Sequence, residues 1–312
     1  MNKAPELLLI SPKEITLSDP CLFWAREPEQ DFVRSIERIG QIEPVLIMDI
    51  SGRKTLVAGY RRARALIRLG RDIMALEIPP AGEYQKGLVY LLSNQNQSLN
   101  PGKIIPALRY FQSAGSLSQE VWTELEIKPG SKMQTLWQNW LDLPFAWDTL
   151  LAQGNISLEC SRTLKHAGPE DLQCLFPFFS RLSWSRNNSI NLLTWLHEKA
   201  RMDHKGLRQL IEELNLASIL DTDLSPQDKI KTILKLAFQA RYPVLSTMKN
   251  DLEQRLRSTA AGSGWRVEHR DEFESREIQF STRINSRHDL KKALAGLERI
   301  YQSGALDDWP VK

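Results

Sequence analysis

The sequence has little of what marks secreted or membrane-spanning proteins. Its three cysteines, Cys21, Cys160 and Cys174, are odd in number and widely separated, so they predict neither a disulfide framework nor a CxxC pair. No apolar run approaches the roughly 18–20 residues of a membrane span, and the run Leu7–Ile10 is too short for a secretory signal. We therefore expect a cytoplasmic protein with reduced cysteines and no membrane partner.

The sequence also lacks a strong charge of either sign. Lysine and arginine number 41 and acidic residues 38, which gives a net charge of +3 over 312 residues. With 25% charged and 42% apolar residues, the composition is typical of a soluble globular protein of two or three domains. It excludes a disordered chain and an indiscriminate cationic DNA coat, so any contact with DNA must come from local patches.

Hydrophobic periodicity divides the chain into three segments. The first, 1–98, alternates strand and helix signals, with a hairpin around Ser51-Gly52. The second, 99–218, has helical period almost throughout. After a linker at 220–226, residues 227–312 predict helices, two alternating strands and a final helix, in a small α-β-β-α domain.

The most informative segment of the first domain is 59–65, where a predicted strand ends and a predicted helix begins. It reads Gly-Tyr-Arg-Arg-Ala-Arg-Ala. A glycine lets the backbone approach a phosphate closely, and the first N–H groups of a helix favour an anion. Arginine binds phosphate oxygens in a bidentate fork. The residues alone leave two interpretations open, a phosphate site or a solvated basic helix face.

The order and spacing of the motifs resemble a known family. A helix ending near Ile39 is followed by Gly40-Gln41-Ile42-Glu43-Pro44, a hairpin, and the arginine motif at 59–65. This succession resembles the N-terminal domain of ParB-type chromosome and plasmid partition proteins. The resemblance implies an α+β protein with a ParB/sulfiredoxin-like N-terminal α/β domain, a helical middle domain and a small α/β C-terminal domain. Sulfiredoxin chemistry needs a cysteine in this loop, and none is present.

The resemblance implies CTP as a ligand. The matching residues are those of the arginine motif, one in the upstream loop and two in a later segment: Gly59, Arg61, Arg62, Arg64, Gln41, Asn94 and Gln95. The later segment is E-N-x-Q-R in the family. Here Gln95 matches without a gap and Asn94 with a gap of one residue, but no acidic residue is retained. Without a carboxylate there is little to hold Mg²⁺ or to organise an attacking water, so we expect CTP binding and doubt both Mg²⁺ and hydrolysis.

A second resemblance lies in the helical segment. Residues 118–125 and 131–137 match the position of the family's DNA-binding helix-turn-helix, and Ser118 and Ser131 are suited to cap the two helices. The side chains expected to contact bases or phosphates are Lys132, Gln134, Thr135 and Arg162. Two departures weaken the match. Trp122 replaces a small residue, and Glu126 replaces a glycine whose left-handed turn glutamate is not expected to adopt.

The leading hypothesis is a nucleoid-associated, DNA-binding partition protein that acts as a CTP-dependent switch. The resemblance implies a homodimer and a ParA-type ATPase as partner. One rival is a divergent scaffold that has lost CTP hydrolysis and sequence-specific DNA reading. The other is an enzyme, either a weak CTPase or a nuclease, and the lack of a clustered Asp/Glu/His metal site argues against the nuclease. Six tryptophans between Trp122 and Trp195 lie at helical spacing among leucines, which predicts core packing rather than base stacking.

Overall fold

The computed structural model describes residues 6–269 and 278–302. The chain forms two compact units, the first ending at Thr194 and the second beginning at Trp195. The finer division into domains at 98 and 218–227 stays a prediction. Within the described residues, no helix has the length and apolarity needed to cross a membrane.

The first unit contains a five-stranded mixed sheet in the order β1-β5-β3-β4-β2. Its strands are β1 Glu6–Ile10, β2 Ile15–Thr16, β3 Val45–Ile50, β4 Arg53–Ala58 and β5 Ile73–Ile78. β3 pairs with β4 as the predicted antiparallel hairpin and with β5 in parallel, while β1 runs antiparallel to β5 at one edge. The most buried side chains of the three central strands are Val45, Ile47, Leu56, Val57, Ile73 and Ala75. The sheet is thus the rigid frame from which the loops after its strands project.

Three helices accompany this sheet: α1 Gln30–Ile39, α2 Tyr60–Leu69 and α3 Glu83–Leu92. α2 begins directly after β4 and buries Ala63, Ala65 and Leu66. α3 ends at Leu92, before the candidate residues Asn94 and Gln95. The side chains of Ser93 and Asn94 donate hydrogen bonds to the carbonyls of Val89 and Tyr90 in the last turn of the helix.

The rest of the first unit is helical, as predicted. Its helices are α4 Pro101–Ser113, α5 Gln119–Glu124, α6 Lys132–Leu141, α7 Ala146–Ala152, α8 Ser161–Leu164 and α9 Pro169–Arg181, and α10 Arg186–Met202 begins in this unit and continues past its end at Thr194. The hydroxyl groups of Ser118 and Ser131 cap α5 and α6, which confirms the two predicted caps. Five of the six tryptophans in this region are buried, namely Trp122, Trp137, Trp140, Trp147 and Trp184, so the prediction of core packing is confirmed.

The turn after α5 corrects one expectation. Glu126 does adopt the left-handed conformation, with φ of +58°. The Ile127 N–H donates to the Trp122 carbonyl and the Glu126 N–H to the Thr123 carbonyl, and Ile127 and Trp122 are both buried. This is a Schellman ending with its apolar contact, but with glutamate where glycine is usual. The packing of Ile127 therefore holds an exposed glutamate in a conformation that is unfavourable for it.

The second unit contains α11 Leu207–Glu213, α12 Leu216–Ile219, α13 Pro226–Arg241, α14 Pro243–Ala260 and α15 Arg287–Gln302. Between α14 and α15, strands β6 Arg266–His269 and β7 Ile278–Ser281 pair antiparallel. The small sheet packs on α14 through a cluster of Leu252, Leu256 and Val267. The predicted helix–strand–strand–helix succession is therefore present.

Candidate nucleotide site and candidate nucleic-acid interface

Gly59 links β4 to α2 in a way that no other residue can reproduce without strain. Its φ is +93°, and a Cβ placed on it would lie 2.9 Å from Cγ1 of Val45, a side chain with no exposed surface. No side chain caps α2, and its first turn contains no acidic residue. The positive end of the helix dipole is therefore not compensated locally, which favours an anion at this point.

Arg61 is the arginine of this loop that offers a donor without a partner. Its guanidinium group lies over the ring of Phe32, 4.6 Å from the ring centre. Its Nε atom is buried and has no hydrogen-bond partner among the described residues. A buried unpaired donor is costly, so Arg61 is poised to donate to an acceptor from outside the chain.

Arg62 and Arg64, by contrast, already have carboxylate partners. Arg62 donates to Glu43 at 2.8 Å and to the Pro44 carbonyl at 3.0 Å. Arg64 donates through Nε to both oxygens of Glu27, at 2.9 and 3.3 Å. The arginine motif is thus largely neutralised by two glutamates of the same chain.

Glu27 is the centre of this neutralising network. Besides Arg64 it accepts hydrogen bonds from Nη2 of Arg68 at 2.5 Å and from the Tyr60 hydroxyl at 3.2 Å. The hydrogen bond from Arg64, supported by the charges of Arg64 and Arg68, lowers the pKa of Glu27, although partial desolvation opposes it. The same contacts raise the pKa of Arg64. Glu27 therefore remains ionised at neutral pH.

A polar cavity of about 190 Å³ lies beside the start of α2. It is lined by Trp24, Ala25, Arg26, Phe32, Gly59, Tyr60, Arg61, Arg62, Tyr90, Ser93, Asn94 and Gln97. Of the sequence-predicted residues, the structure thus brings Gly59, Arg61, Arg62 and Asn94 together. Arg64 is not among the lining residues, and its side chain contacts Glu27 instead.

Asn94 and Gln97 form a polar wall of this cavity. The Asn94 side chain donates to the Tyr90 carbonyl and accepts from the Gln97 amide, both at 2.8 Å. Gln95 does not join them, because its amide donates to Glu124 in α5 at 2.5 Å. The alignment with one gap, which selects Asn94, therefore fits the geometry better than the ungapped one.

The sequence reasoning missed Gln97 and Arg26. Gln97 stood in the segment compared with the family motif, three residues after Asn94, where a turn returns the chain to the same wall. Arg26 is exposed at the cavity and carried no periodic signal. Its contribution could have been found only from the position of the 21–29 segment in the fold.

A second, more apolar cavity of about 220 Å³ adjoins the first, since both include Phe32 and Arg62. Its other lining residues are Ser35, Ile36, Ile39, Gly40, Gln41, Ile42 and Glu43. Gln41 is fully engaged with the backbone. Its amide donates to the Glu43 and Met74 carbonyls, and its carbonyl accepts from the Met74 N–H. Its demonstrated contacts are therefore structural, and they fix the loop that lines this cavity.

The segment that walls the polar cavity is anchored by a buried ion pair. Nζ of Lys86 contacts Asp19 at 2.9 Å and Glu83 at 2.6 Å. Burial alone would raise the pKa of Asp19, but the backbone N–H of Cys21 and the ammonium group of Lys86 outweigh it and lower that pKa. Five residues further on, the Trp24 indole donates to the Lys103 carbonyl at 2.8 Å. Burial, with the neighbouring Asp19, raises the pKa of the Cys21 thiol, which disfavours its thiolate form.

The cavity does not suit a magnesium ion. None of its lining residues carries a carboxylate, although Mg²⁺ is usually bound through one or two of them. The Asn94 carbonyl is occupied by Gln97, and the Ser93 hydroxyl donates to Val89. Throughout residues 6–269 and 278–302, no three His, Cys, Asp or Glu side chains are grouped as metal ligands.

The candidate nucleic-acid residues lie on α6 and α8. Lys132 and Arg162 are exposed. The side-chain carbonyl of Gln134 accepts a hydrogen bond from the Gly130 N–H at 2.7 Å, and the Thr135 hydroxyl donates to the Ser131 carbonyl at 3.4 Å. α8 is held against α6 because the Ser161 hydroxyl donates to the Leu136 carbonyl at 3.0 Å. Two of the four predicted side chains are therefore engaged by backbone groups just before the start of α6.

The C-terminal end of α6 is fixed by a second charged cluster. The Arg109 guanidinium donates to both oxygens of Asp148 and to the carbonyls of Leu141 and Leu143. The Trp140 indole donates to the same carboxylate at 3.0 Å. Five hydrogen bonds thus satisfy the Leu141 carbonyl at the end of α6, the Leu143 carbonyl just after it and the Asp148 carboxylate, which fixes the C-terminal end of α6.

Comparison with known proteins finds no family model that matches the chain. A curated relative, the probable chromosome-partitioning protein ParB of Campylobacter jejuni, is 26% identical over 151 residues, which are 48% of this chain and 54% of the relative. The chain thus spans about half the length of that relative. This similarity confirms the ParB-like character that the sequence motifs predicted.

Solved structures of C-terminally truncated ParB from Caulobacter crescentus are also found. The complex with the centromeric parS site has a TM-score of 0.36 and 14% identity, covering 60% of this chain and 98% of that chain. The complex with CTP-γ-S has a TM-score of 0.26 and 20% identity, covering 54% and 96%.

Proposed function

We propose that this ParB-like chain is a DNA-binding partition protein whose first unit binds CTP as a switch. The observation that carries the nucleotide proposal is Arg61, with its buried and unpartnered Nε atom, at the uncapped start of α2 beside a polar cavity. The triphosphate would receive donors from Arg61 and from the first N–H groups of α2. A ParA-type ATPase as partner and a location on the nucleoid follow from the same resemblance and belong to this proposal.

The sizes of the two cavities support a ligand that spans both. Each is smaller than the roughly 300–1,000 Å³ of a typical ligand pocket, and they share Phe32 and Arg62. We place the phosphates in the polar cavity, beside Arg61 and Asn94. The base would occupy the apolar cavity, where Ile42 and the loop held by Gln41 form the wall.

Calorimetric titration with CTP, ATP, GTP and UTP tests this assignment. We expect CTP to bind and Arg61→Gln to weaken it by about tenfold or more, the effect of losing one charge-assisted hydrogen bond. Arg53→Gln removes one positive charge from the exposed end of β4 and serves as the matched control. No heat with any of the four nucleotides, or equal losses in the two variants, would refute the assignment.

We propose binding without hydrolysis, because the cavity lacks a carboxylate to hold Mg²⁺ or to orient water. CTP incubated with the protein should be recovered intact, with Mg²⁺ or with EDTA. Release of phosphate that is lost in Arg61→Gln but retained in Arg53→Gln would instead support the CTPase alternative.

The DNA-binding part of the proposal rests on the exposed cations of α6 and α8. Lys132 and Arg162 lie outside the two helices' buried faces. Lys165 follows α8 directly, and its ammonium group contacts Asn139 of α6. We expect binding to random-sequence duplex DNA at low salt. Replacing Lys132 or Arg162 by glutamine should reduce the slope of log K against log salt by about one each. Unchanged slopes would exclude this surface.

We also propose a homodimer formed through α15. One face of α15, with Ala293, Gly296 and Ile300, is buried in its own unit, where the Trp265 indole donates to the Ala293 carbonyl. The adjacent side, about a quarter-turn around the helix, carries Leu290, Leu294, Leu297 and Tyr301, which are 44%, 59%, 37% and 81% exposed. Their spacing of four, three and four residues is that of an a/d seam, which a second copy of α15 would cover.

Light scattering after size exclusion tests this dimer. Leu294→Glu, in the middle of the exposed seam, should shift the protein to monomer. Lys292→Glu changes an exposed residue away from the seam and should leave the dimer intact. Identical masses for both variants would exclude α15 as the interface.

The scaffold alternative is favoured by one observation. Gln134 and Thr135, which base reading would need, are hydrogen-bonded to backbone groups just before the start of α6. If random duplex DNA is not retained at low salt, with or without CTP, the scaffold is the better description. Retention only with CTP supports the switch.

A further inference from the structure

We propose that Glu27 is an internal counter-ion that occupies Arg64 and Arg68 until a phosphate chain displaces it. The inference deepens the proposed function and rests on it for the identity of the ligand. It makes Glu27, which no sequence motif singled out, the residue that sets the phosphate affinity of the site.

Glu27 lies next to the residues that line the polar cavity. It follows directly on Arg26 at the wall of the polar cavity, and it accepts a hydrogen bond from Tyr60, which also lines that cavity. Its two oxygens accept from Nε of Arg64 and from Nη2 of Arg68. A carboxylate that accepts hydrogen bonds from these three donors occupies the position in which an external oxyanion would bind.

The ion pairs of Glu27 with Arg64 and Arg68 are partly exposed to solvent. The side chains of Glu27, Arg64 and Arg68 are 48%, 36% and 42% exposed. Ion pairs in contact with water contribute little to stability, because solvent competes for both partners. The carboxylate can therefore be exchanged for phosphate without unfolding α2, unlike the buried pair of Asp19 and Lys86.

The arginines of α2 are largely neutralised by glutamates of the same chain. Glu43 neutralises Arg62, and Glu27 neutralises Arg64 and Arg68. Arg71, at the far end of the helix, donates to the carbonyls of Ile36 and Glu37. A triphosphate that contacts Arg61 alone leaves most of its charge uncompensated, so release of Arg64 from Glu27 supplies the next guanidinium.

The experiment measures binding of inorganic triphosphate and of CTP to four full-length proteins: wild type, Glu27→Gln, Arg64→Gln and the double variant. Glu29→Gln is the matched control, since Glu29 also lies just before α1 and does not cap that helix with its side chain. Glu27→Ala provides a second test in case the amide of the Gln variant re-forms the contact. Circular dichroism checks that each variant is folded.

We expect Glu27→Gln and Glu27→Ala to bind triphosphate roughly 2–30-fold more tightly than wild type, because two water-exposed ion pairs no longer have to be broken. The gain should be absent from Glu29→Gln and lost in the double variant. No gain, or a gain that persists without Arg64, overturns the inference. If CTP binds the wild type but removal of Glu27 changes nothing, only this inference fails. If triphosphate shows the gain while CTP binds no better than the other nucleotides, the proposed nucleotide function fails and the role of Glu27 stands.

Discussion

Replacing Gly59 by alanine tests the physical basis of the site most directly, since it adds one methyl group where the strand turns into the helix. The new Cβ would lie 2.9, 3.1 and 3.3 Å from Cγ1, Cβ and Cα of Val45. Val45 is completely buried in β3, so neither its side chain nor its backbone can move into solvent. The substitution should therefore strain the junction that positions Arg61.

The magnitude has three contributions. The positive φ of +93° costs a non-glycine residue roughly 1–2 kcal/mol. Overpacking against Val45 adds about 1–3 kcal/mol, while the reduced entropy of the unfolded chain returns about 0.4–1 kcal/mol. The free energy of unfolding of the first unit should thus fall by roughly 1–5 kcal/mol.

Gly70 provides the matched control. It follows the other end of α2, also has a positive φ of +63°, and has no atom within 4 Å of the position of an added Cβ. Gly70→Ala should cost only the backbone contribution, about 1 kcal/mol. Native-state hydrogen exchange of the β3 and β4 amides reports on the first unit alone. If Gly59→Ala lowers their protection no more than Gly70→Ala does, the reasoning from the Val45 contact is wrong.

Two further substitutions test the packing around the candidate sites. Glu126→Gly should raise the free energy of unfolding by up to about 1 kcal/mol in urea denaturation, because glycine relieves the left-handed strain of the α5 ending, whereas Glu124→Gly, inside α5, should lower it. Lys86→Met leaves the Asp19 carboxylate buried without its partner and should cost about 3–5 kcal/mol near neutral pH, whereas Lys13→Met, at an exposed lysine, should cost almost nothing. Because the pKa of Asp19 is lowered in the fold, its stabilising contribution is present above its ordinary pKa and is lost as the pH falls below about 4. The cost of Lys86→Met should therefore shrink in acid, and a cost that is constant with pH would contradict the role of this pair.

Much of the fold could be predicted from the sequence because local signals and burial agree there. The hairpin of β3 and β4 has short β-rich apolar runs on both sides of Ser51-Gly52, and both residues adopt positive φ in the turn. The caps of α5 and α6 could also be predicted, since a serine precedes each helix. The left-handed conformation of Glu126 could not be predicted, because the buried contact of Ile127 that stabilises it comes from tertiary packing.

The candidate site was only partly predictable, for a reason that lies in the length of its side chains. Gly59 is fixed by backbone geometry, and its position could be read directly from the motif. The arginines of α2 could be placed on helix faces, but their guanidinium groups lie several bonds from the backbone. Whether such a group faces a cavity or a carboxylate depends on Glu27 and Glu43, which are 37 and 19 residues away from their partners in sequence. No periodicity encodes that choice.

The internal ion pairs explain how a site for a polyanion can exist on a chain of net charge +3. Where an arginine already has a carboxylate partner, a phosphate gains only the difference between the new contact and the old one. These pairs lower the net positive charge around the start of α2, so we expect only weak attraction of the duplex DNA backbone to it. A small ligand that enters the cavity and reaches Arg61, in contrast, gains a contact without breaking one. This reasoning predicts that Glu27→Gln, besides binding triphosphate more tightly, binds random duplex DNA with a steeper salt dependence than Glu29→Gln. Equal slopes for the two variants in a salt titration would show that the pairing with Glu27 does not provide this selectivity.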